Sequence, residues 1–146
     1  MSHKSVMYRH TVLKGSAYEI GQMQGEIVKA APGFAAFVRS GQGAFSGAEF
    51  RTVRDSFDRF CPGLNEEIQG LADALDMPPA HVVYYAQTYL RQGHCSHMAV
   101  LPGLSASGHV LLGRSYEFDD TMDDLQLCTT HVTGKYAHVG FSSLLL

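Results

Sequence analysis

Cysteine is the side chain in this protein best suited to covalent chemistry, and the chain has three: Cys61, Cys95 and Cys128. Their odd number and wide spacing fit neither a disulfide framework nor a zinc-finger pattern, so each is expected to be a free thiol. Cys95 has the richest surroundings. It lies in "GHCSH", between His94 and Ser96, and downstream "GRSYEF" supplies Arg114, Tyr116 and Glu117. Three fates are open to it. Burial in a strand is the commonest fate of a free cysteine. A metal ligand would need partners, yet His94, Cys95 and His97 are too close together for a familiar zinc pattern, and no second cluster has the right spacing. A nucleophile would need a base and an oxyanion stabiliser, which one sequence does not specify. Asp119, Asp120, Asp123 and Asp124 read as a solvated loop rather than a metal site, so no metal is expected at these positions. The eight histidines still keep a histidine-rich metal-binding protein among the alternatives.

These residues must be positioned by a chain of 146 residues, a length that suits one domain. A 45% apolar and 17% charged composition can bury a core. The net charge of −3 offers no basic excess for nucleic acid. The longest apolar runs are too short to span a membrane, and "MSHKSVMYRH" lacks the apolar core of a signal peptide. A cytoplasmic protein with neither nucleic-acid nor membrane partner is the expectation, and no cofactor is expected.

Residues 15–90 read as helical. In "GSAYEIGQMQGEIVKAA", Ser16 and Glu19 form a capping box. Ile20, Met23, Gln24, Ile27 and Ala31 then fall on one stripe. Gly21 and Gly25 each cost about 1 kcal/mol against alanine inside a helix, which predicts a close packing contact there. Pro32-Gly33 ends this helix, and a short apolar piece, "FAAFVRS", follows. Ser46 and Glu49 make a second capping box, ahead of Phe50, Val53, Phe57 and Phe60 at helical spacing. Pro62 opens a third helix with Leu64, Ile68, Leu71 and Leu75 on one face. Pro78 or Pro79 opens a fourth, "MPPAHVVYYAQTYL". These apolar stripes are expected to be mostly core.

From about residue 94 the pattern changes to strands. "HCSHMAVLP" and "HVLLGRSYEF" flank the loop "GLSASG". "LQLCTTHVT" and "YAHVGFSSLLL" flank Gly134-Lys135 as a second hairpin. Helices followed by antiparallel strands indicate an α+β fold.

Three of these stretches together carry a family resemblance. "GSAYEIGQMQGE" looks like the opening helix of the cysteine peptidase-like acyltransferases that include penicillin acyl-CoA acyltransferase. "NEEIQGLADALDMPPAHVVYYA" resembles the helical segment ahead of that family's nucleophile. "GHCSHMAVLPGLSASGHVLLGRSYEFDD" is similar to its core signature, in which a glycine-rich junction, a cysteine, two strands around a glycine turn, and a terminal pattern of Gly, Arg or Gln, Asn or Ser, any residue, and an acid follow in order. The resemblance spans about residues 12–145. The wider group is the N-terminal nucleophile hydrolases, with choloylglycine hydrolases and acid ceramidase-like amidases as relatives.

The resemblance implies an αββα sandwich, of which this chain supplies a helical propeptide or α-subunit-like segment, 1–94, and the first strands of the catalytic sheet, 95–146. It implies that the His94–Cys95 bond is the cleavage junction and that Cys95 is the nucleophile, with its own freed α-amino group as base. Arg114 would sit beside the thiol and favour the thiolate. Glu117 occupies the usual aspartate position and would bind the α-ammonium or orient the arginine. Ser96 and Tyr116 would support substrate or oxyanion. The substrate would be a small-molecule amide or acyl thioester. His94 departs from the small residue the family usually carries at the junction.

The chain stops at "FSSLLL", which suggests the front part of a larger domain, or a sheet completed by another chain or by a homo-oligomer. The family's oxyanion asparagine falls later than residue 146, and Asn65, the only asparagine, lies in the helical half. The 146 residues alone are therefore expected to show little or no acyl transfer, and a non-catalytic relative serving binding or assembly is the alternative.

Overall fold

The computed structural model describes residues 8–30, 45–82, 96–115 and 125–142. His94, Cys95, Tyr116, Glu117, the "FAAFVRS" piece, the acidic run from 119 to 124 and the fourth helix beyond residue 82 lie outside the described residues.

The fold is α+β. In chain order it runs β1 (Tyr8–Gly15), α1 (Ala17–Lys29), α2 (Gly47–Phe60), α3 (Leu64–Ala74), β2 (Ser96–Val100), a 3-10 turn (Pro102–Leu104), β3 (Leu111–Ser115), β4 (Leu125–Val132) and β5 (His138–Ser142). Residues 79–82 are also helical, after Pro78 as the sequence suggests. Both capping boxes form. The Ser16 backbone N–H donates to Glu19 Oε2 at 2.7 Å and the Glu19 N–H returns a bond to Ser16 Oγ at 3.2 Å. Ser46 and Glu49 repeat the arrangement at 2.8 and 3.3 Å. Each box satisfies donors that the first helical turn leaves without intrahelical partners. Both glutamates are held below the usual carboxylate range, chiefly by the bond from the serine backbone.

Helices α1 and α3 make the central contact, and glycine permits it. A Cβ on Gly21 would overlap the Glu67 carbonyl, and one on Gly70 would overlap the Tyr18 carbonyl. A Cβ on Gly25 would collide with Ala74. Three bare backbone positions therefore let the two helices meet main chain to main chain, as Gly21 and Gly25 led us to expect. The buried stripe of α1 is Ile20, Gly21, Gln24, Gly25 and Val28. Its centre lies toward the glycines, so Met23 and Ile27 sit at the margin and Val28 takes the core position.

Helix α3 buries Ile68, Leu71 and Ala72, with Leu75 just beyond it. Pro62 precedes the helix instead of opening it, because Gly63 is the N-cap, at φ +99°. The C-terminus closes with Asp76 in the left-handed region at φ +54°. The Met77 N–H donates to the Ala72 carbonyl at 2.9 Å and the Asp76 N–H to the Asp73 carbonyl at 3.2 Å. This double closure is a Schellman motif with aspartate where glycine is usual. Helix α2 departs from the expected core stripe. It buries no residue fully; Phe50, Val53 and Phe57 only flank the core, and Phe60 is exposed.

The main correction concerns the sheet. β1 precedes the helices, whereas the sequence pattern placed all the strands after residue 94. It pairs with β4 in parallel, from Tyr8 opposite Leu125 to Gly15 opposite Val132. β4 pairs antiparallel with β5, so the sheet order is β1-β4-β5 and the sheet is mixed rather than wholly antiparallel. Segment 1–94 thus contributes a strand to the sheet built from segment 95–146. Strand β1 escaped notice because, among its residues from Arg9 to Lys14, only Leu13 is buried; Val12 faces outward, 58% exposed, so no alternation marks the strand. On β4, Cys128 and Thr130 are buried, and Cys128 joins Val28, Ile68, Leu71, Ala72, Leu75 and Val82 in the core. The helices therefore cover one face of the sheet. The opposite face carries Val12, Thr129 and Val139 in one cross-strand row, with Val139 64% exposed.

Candidate functional site

The hairpin expected after Cys95, two strands around "GLSASG", forms. β2 and β3 pair antiparallel, with Val100 opposite Leu111 at the loop end and Ser96 opposite Ser115 at the other. The connection is organised by its own turn chemistry. Pro102 starts the 3-10 turn, the Ser105 N–H donates to the Pro102 carbonyl at 3.2 Å, and Gly108 takes φ +68°, which suits a residue without Cβ. Ser105 and Ser107 hydroxyls lie 2.8 Å apart within this loop. Gly113 stands opposite Met98, where a Cβ would lie at ordinary contact distance, 3.6 Å, from Met98 Cε.

This register places the candidate residues that fall within it. Ser96 opens β2 and is exposed. Arg114 is on β3 with its Cα opposite that of His97, the second residue after Cys95. The pairing brings the arginine backbone to the strand beside the one that Cys95 precedes. His94, Cys95, Tyr116 and Glu117 lie outside the described residues.

The hairpin is also open. Met98, Leu101, Leu104, Val110, Leu111 and Leu112 are all at least half exposed, Leu104 reaching 83%. Six large apolar side chains on so short a segment form a surface that globular proteins usually cover.

The other two thiols are free, as expected, and differ in exposure. Cys61 is exposed at the C-terminus of α2. Cys128 is buried in the core, and burial pushes its thiol pKa up, away from the thiolate. Among the described residues, no group of three or more His, Cys, Asp and Glu side chains is arranged to hold a metal ion. No helix among them is long and apolar enough to cross a membrane.

No family model matches the chain, and no curated protein sequence matches it.

A polar pair inside the helical layer was not singled out by the sequence. Gln24, buried on α1, donates from Nε2 to Glu67 Oε1 on α3 at 2.8 Å. Gln24 Oε1 is buried and has no hydrogen-bond partner among the described residues. The sequence did carry a signal: a glutamine on an otherwise apolar helical stripe needs a buried polar partner.

Proposed function

We propose that the protein is a cysteine-nucleophile amide hydrolase or acyltransferase of the N-terminal nucleophile type, acting on small-molecule amides or acyl thioesters. The observation that carries this reading is the antiparallel β2–β3 register. It sets Arg114 on the strand paired with the one that Cys95 precedes, opposite His97. A sheet with helices packed on one face and open on the other also suits half of an αββα sandwich.

In this reading the Cys95 thiol attacks the carbonyl carbon of His94. The C–N bond breaks as the thioester forms, and the departing nitrogen gains the proton. Water then hydrolyses the thioester, leaving the His94 carboxylate, a free Cys95 thiol and a new α-amino group. That amine has an ordinary pKa of about 7.7–8.0, so near neutral pH it can take the thiol proton itself. The thiolate adds to a substrate carbonyl, and collapse of the tetrahedral intermediate expels the amine or thiol, protonated by the α-ammonium. The acyl thioester passes to water or to an acceptor amine or thiol.

Arg114 would stabilise the thiolate, Glu117 would hold the α-ammonium or the arginine, and Ser96 and Tyr116 would assist the developing oxyanion. The test is intact-mass spectrometry of the wild type and Cys95→Ala. A fragment beginning at Cys95 in the wild type, absent from the variant, supports the assignment. An uncut wild-type chain whose Cys95 shows no enhanced alkylation overturns it.

The open hairpin favours a second reading, a non-catalytic relative serving binding or assembly through a homo-oligomer or a completing chain. Exposed strands with unpaired edges are templates for further pairing. Sedimentation at micromolar concentration decides the self-association, which a clean monomer would exclude.

A further inference from the structure

The Gln24–Glu67 pair joins α1 to α3 where their backbones approach most closely. Gly21, one turn before Gln24 on α1, lies against the Glu67 carbonyl. Gln24 is 5% exposed. With Glu67 ionised, the pair makes one bond and leaves Gln24 Oε1 without a donor. Both Glu67 oxygens are then acceptors, and a buried acceptor without a donor is destabilising. A proton on Glu67 adds the missing kind of group, an O–H on a carboxyl already bonded to the carboxamide that has an unused acceptor.

We propose that the Gln24–Glu67 pair is a proton-operated latch, in which a proton on the Glu67 carboxyl tightens the α1–α3 helix pair. Two cationic or titratable groups on the β4–β5 hairpin act on Glu67: Lys135 and His138, whose charges favour the ionised carboxylate. Lys135 is engaged elsewhere, because its Nζ donates to the Pro62 carbonyl. Gln24, the facing group on α1, is neutral. Burial outweighs the hydrogen bond and the two cations, and holds the Glu67 carboxyl above the ordinary glutamate range.

A carboxyl that binds its proton more tightly in the folded state adds stability below its unfolded midpoint, near pH 4.5, and loses that stability as pH rises through the higher folded midpoint. Each pH unit separating the midpoints changes the folding constant tenfold.

Equilibrium unfolding of the full chain across pH 4.5–8, for wild type and Glu67→Gln, tests the latch. The glutamine carries both a donor and an acceptor at all pH values, so it mimics the protonated carboxyl. The variant is expected to gain stability over wild type as pH rises from the unfolded midpoint through the higher folded one, and the difference should then level off. Parallel stability curves would overturn the proposal. Site-resolved carbon NMR of the wild-type carboxyl gives a readout that does not depend on the variant folding. A Glu67 midpoint above that of the neighbouring exposed Glu66 supports the latch, and one at or below it refutes the latch.

Discussion

Replacing Gly21 with alanine should break the α1–α3 contact, although alanine is the better helix former. The added Cβ would sit on the Glu67 carbonyl, 2.8 Å from that residue's carbonyl carbon and 2.8 Å from the Leu71 nitrogen. Those atoms are main chain, held by the hydrogen bonds of α3, so no side-chain rotation relieves the clash. The helices must separate, which loosens Val28 in the core it shares with Ile68 and Leu71. Overpacking of this kind costs about 1–3 kcal/mol, and a backbone obstacle puts it near the upper end. The helix propensity gained by losing glycine returns up to about 1 kcal/mol. The net loss is about 2 kcal/mol, or a fall of about 4–8 °C in Tm for a chain of this size. Urea unfolding with a constant slope measures it. Gly47→Ala is the control, because its Cβ would meet only Arg51 Nη1, at 3.7 Å; it should change stability by no more than about 0.5 kcal/mol. Gly70→Ala, which drives a Cβ into the Tyr18 carbonyl, should behave like Gly21→Ala. The double variant should lose less than the sum, because one separation relieves both clashes. A Gly21→Ala protein as stable as wild type would refute the claim that bare backbone sets the interhelical distance.

Further outcomes test the rest of the fold and the thiols. Leu13→Ala should cost about 2–5 kcal/mol, because Leu13 is 1% exposed and anchors β1 beneath the sheet; chemical denaturation measures this, and a loss below 1 kcal/mol would detach β1 from the core. Ser16→Ala should cost about 1 kcal/mol by the same measurement. The Glu19 and Glu49 carboxylates, held below their usual range, should stabilise at neutral pH and lose that contribution as pH falls through their lowered midpoints, which carboxyl NMR can follow. Under a thiol reagent at pH 8, Cys61 should react quickly and Cys128 only on unfolding, as mapped by peptide mass spectrometry. Asp76→Gly should raise stability by a few tenths to about 1 kcal/mol, since glycine adopts the left-handed C-terminal position without strain.

What the sequence determined about this protein was local. Ser16 with Glu19, and Ser46 with Glu49, marked two helix starts, because a capping box is closed within one turn of chain. The turn residues of "GLSASG" and Gly134-Lys135 marked two hairpins for the same reason, and those hairpins carry the register that places Arg114 opposite His97. Gly21 and Gly25 announced a close contact without naming its partner, since a missing side chain says only that something approaches. What approaches is α3, through Glu67, Leu71 and Ala74, and only the tertiary structure decides that. The same holds for β1. Its parallel pairing with β4 joins residues more than a hundred positions apart, and a strand with one buried side chain between Arg9 and Lys14 leaves no periodic signal. The spacing of Phe50, Val53, Phe57 and Phe60 promised a core stripe, but burial depends on what lies opposite, and α2 finds only the margin of the core. Glu67 shows the distinction at one residue: in sequence it is one of two adjacent glutamates, and only the packing of α1 against it makes one of them a half-buried carboxyl with a carboxamide for a partner.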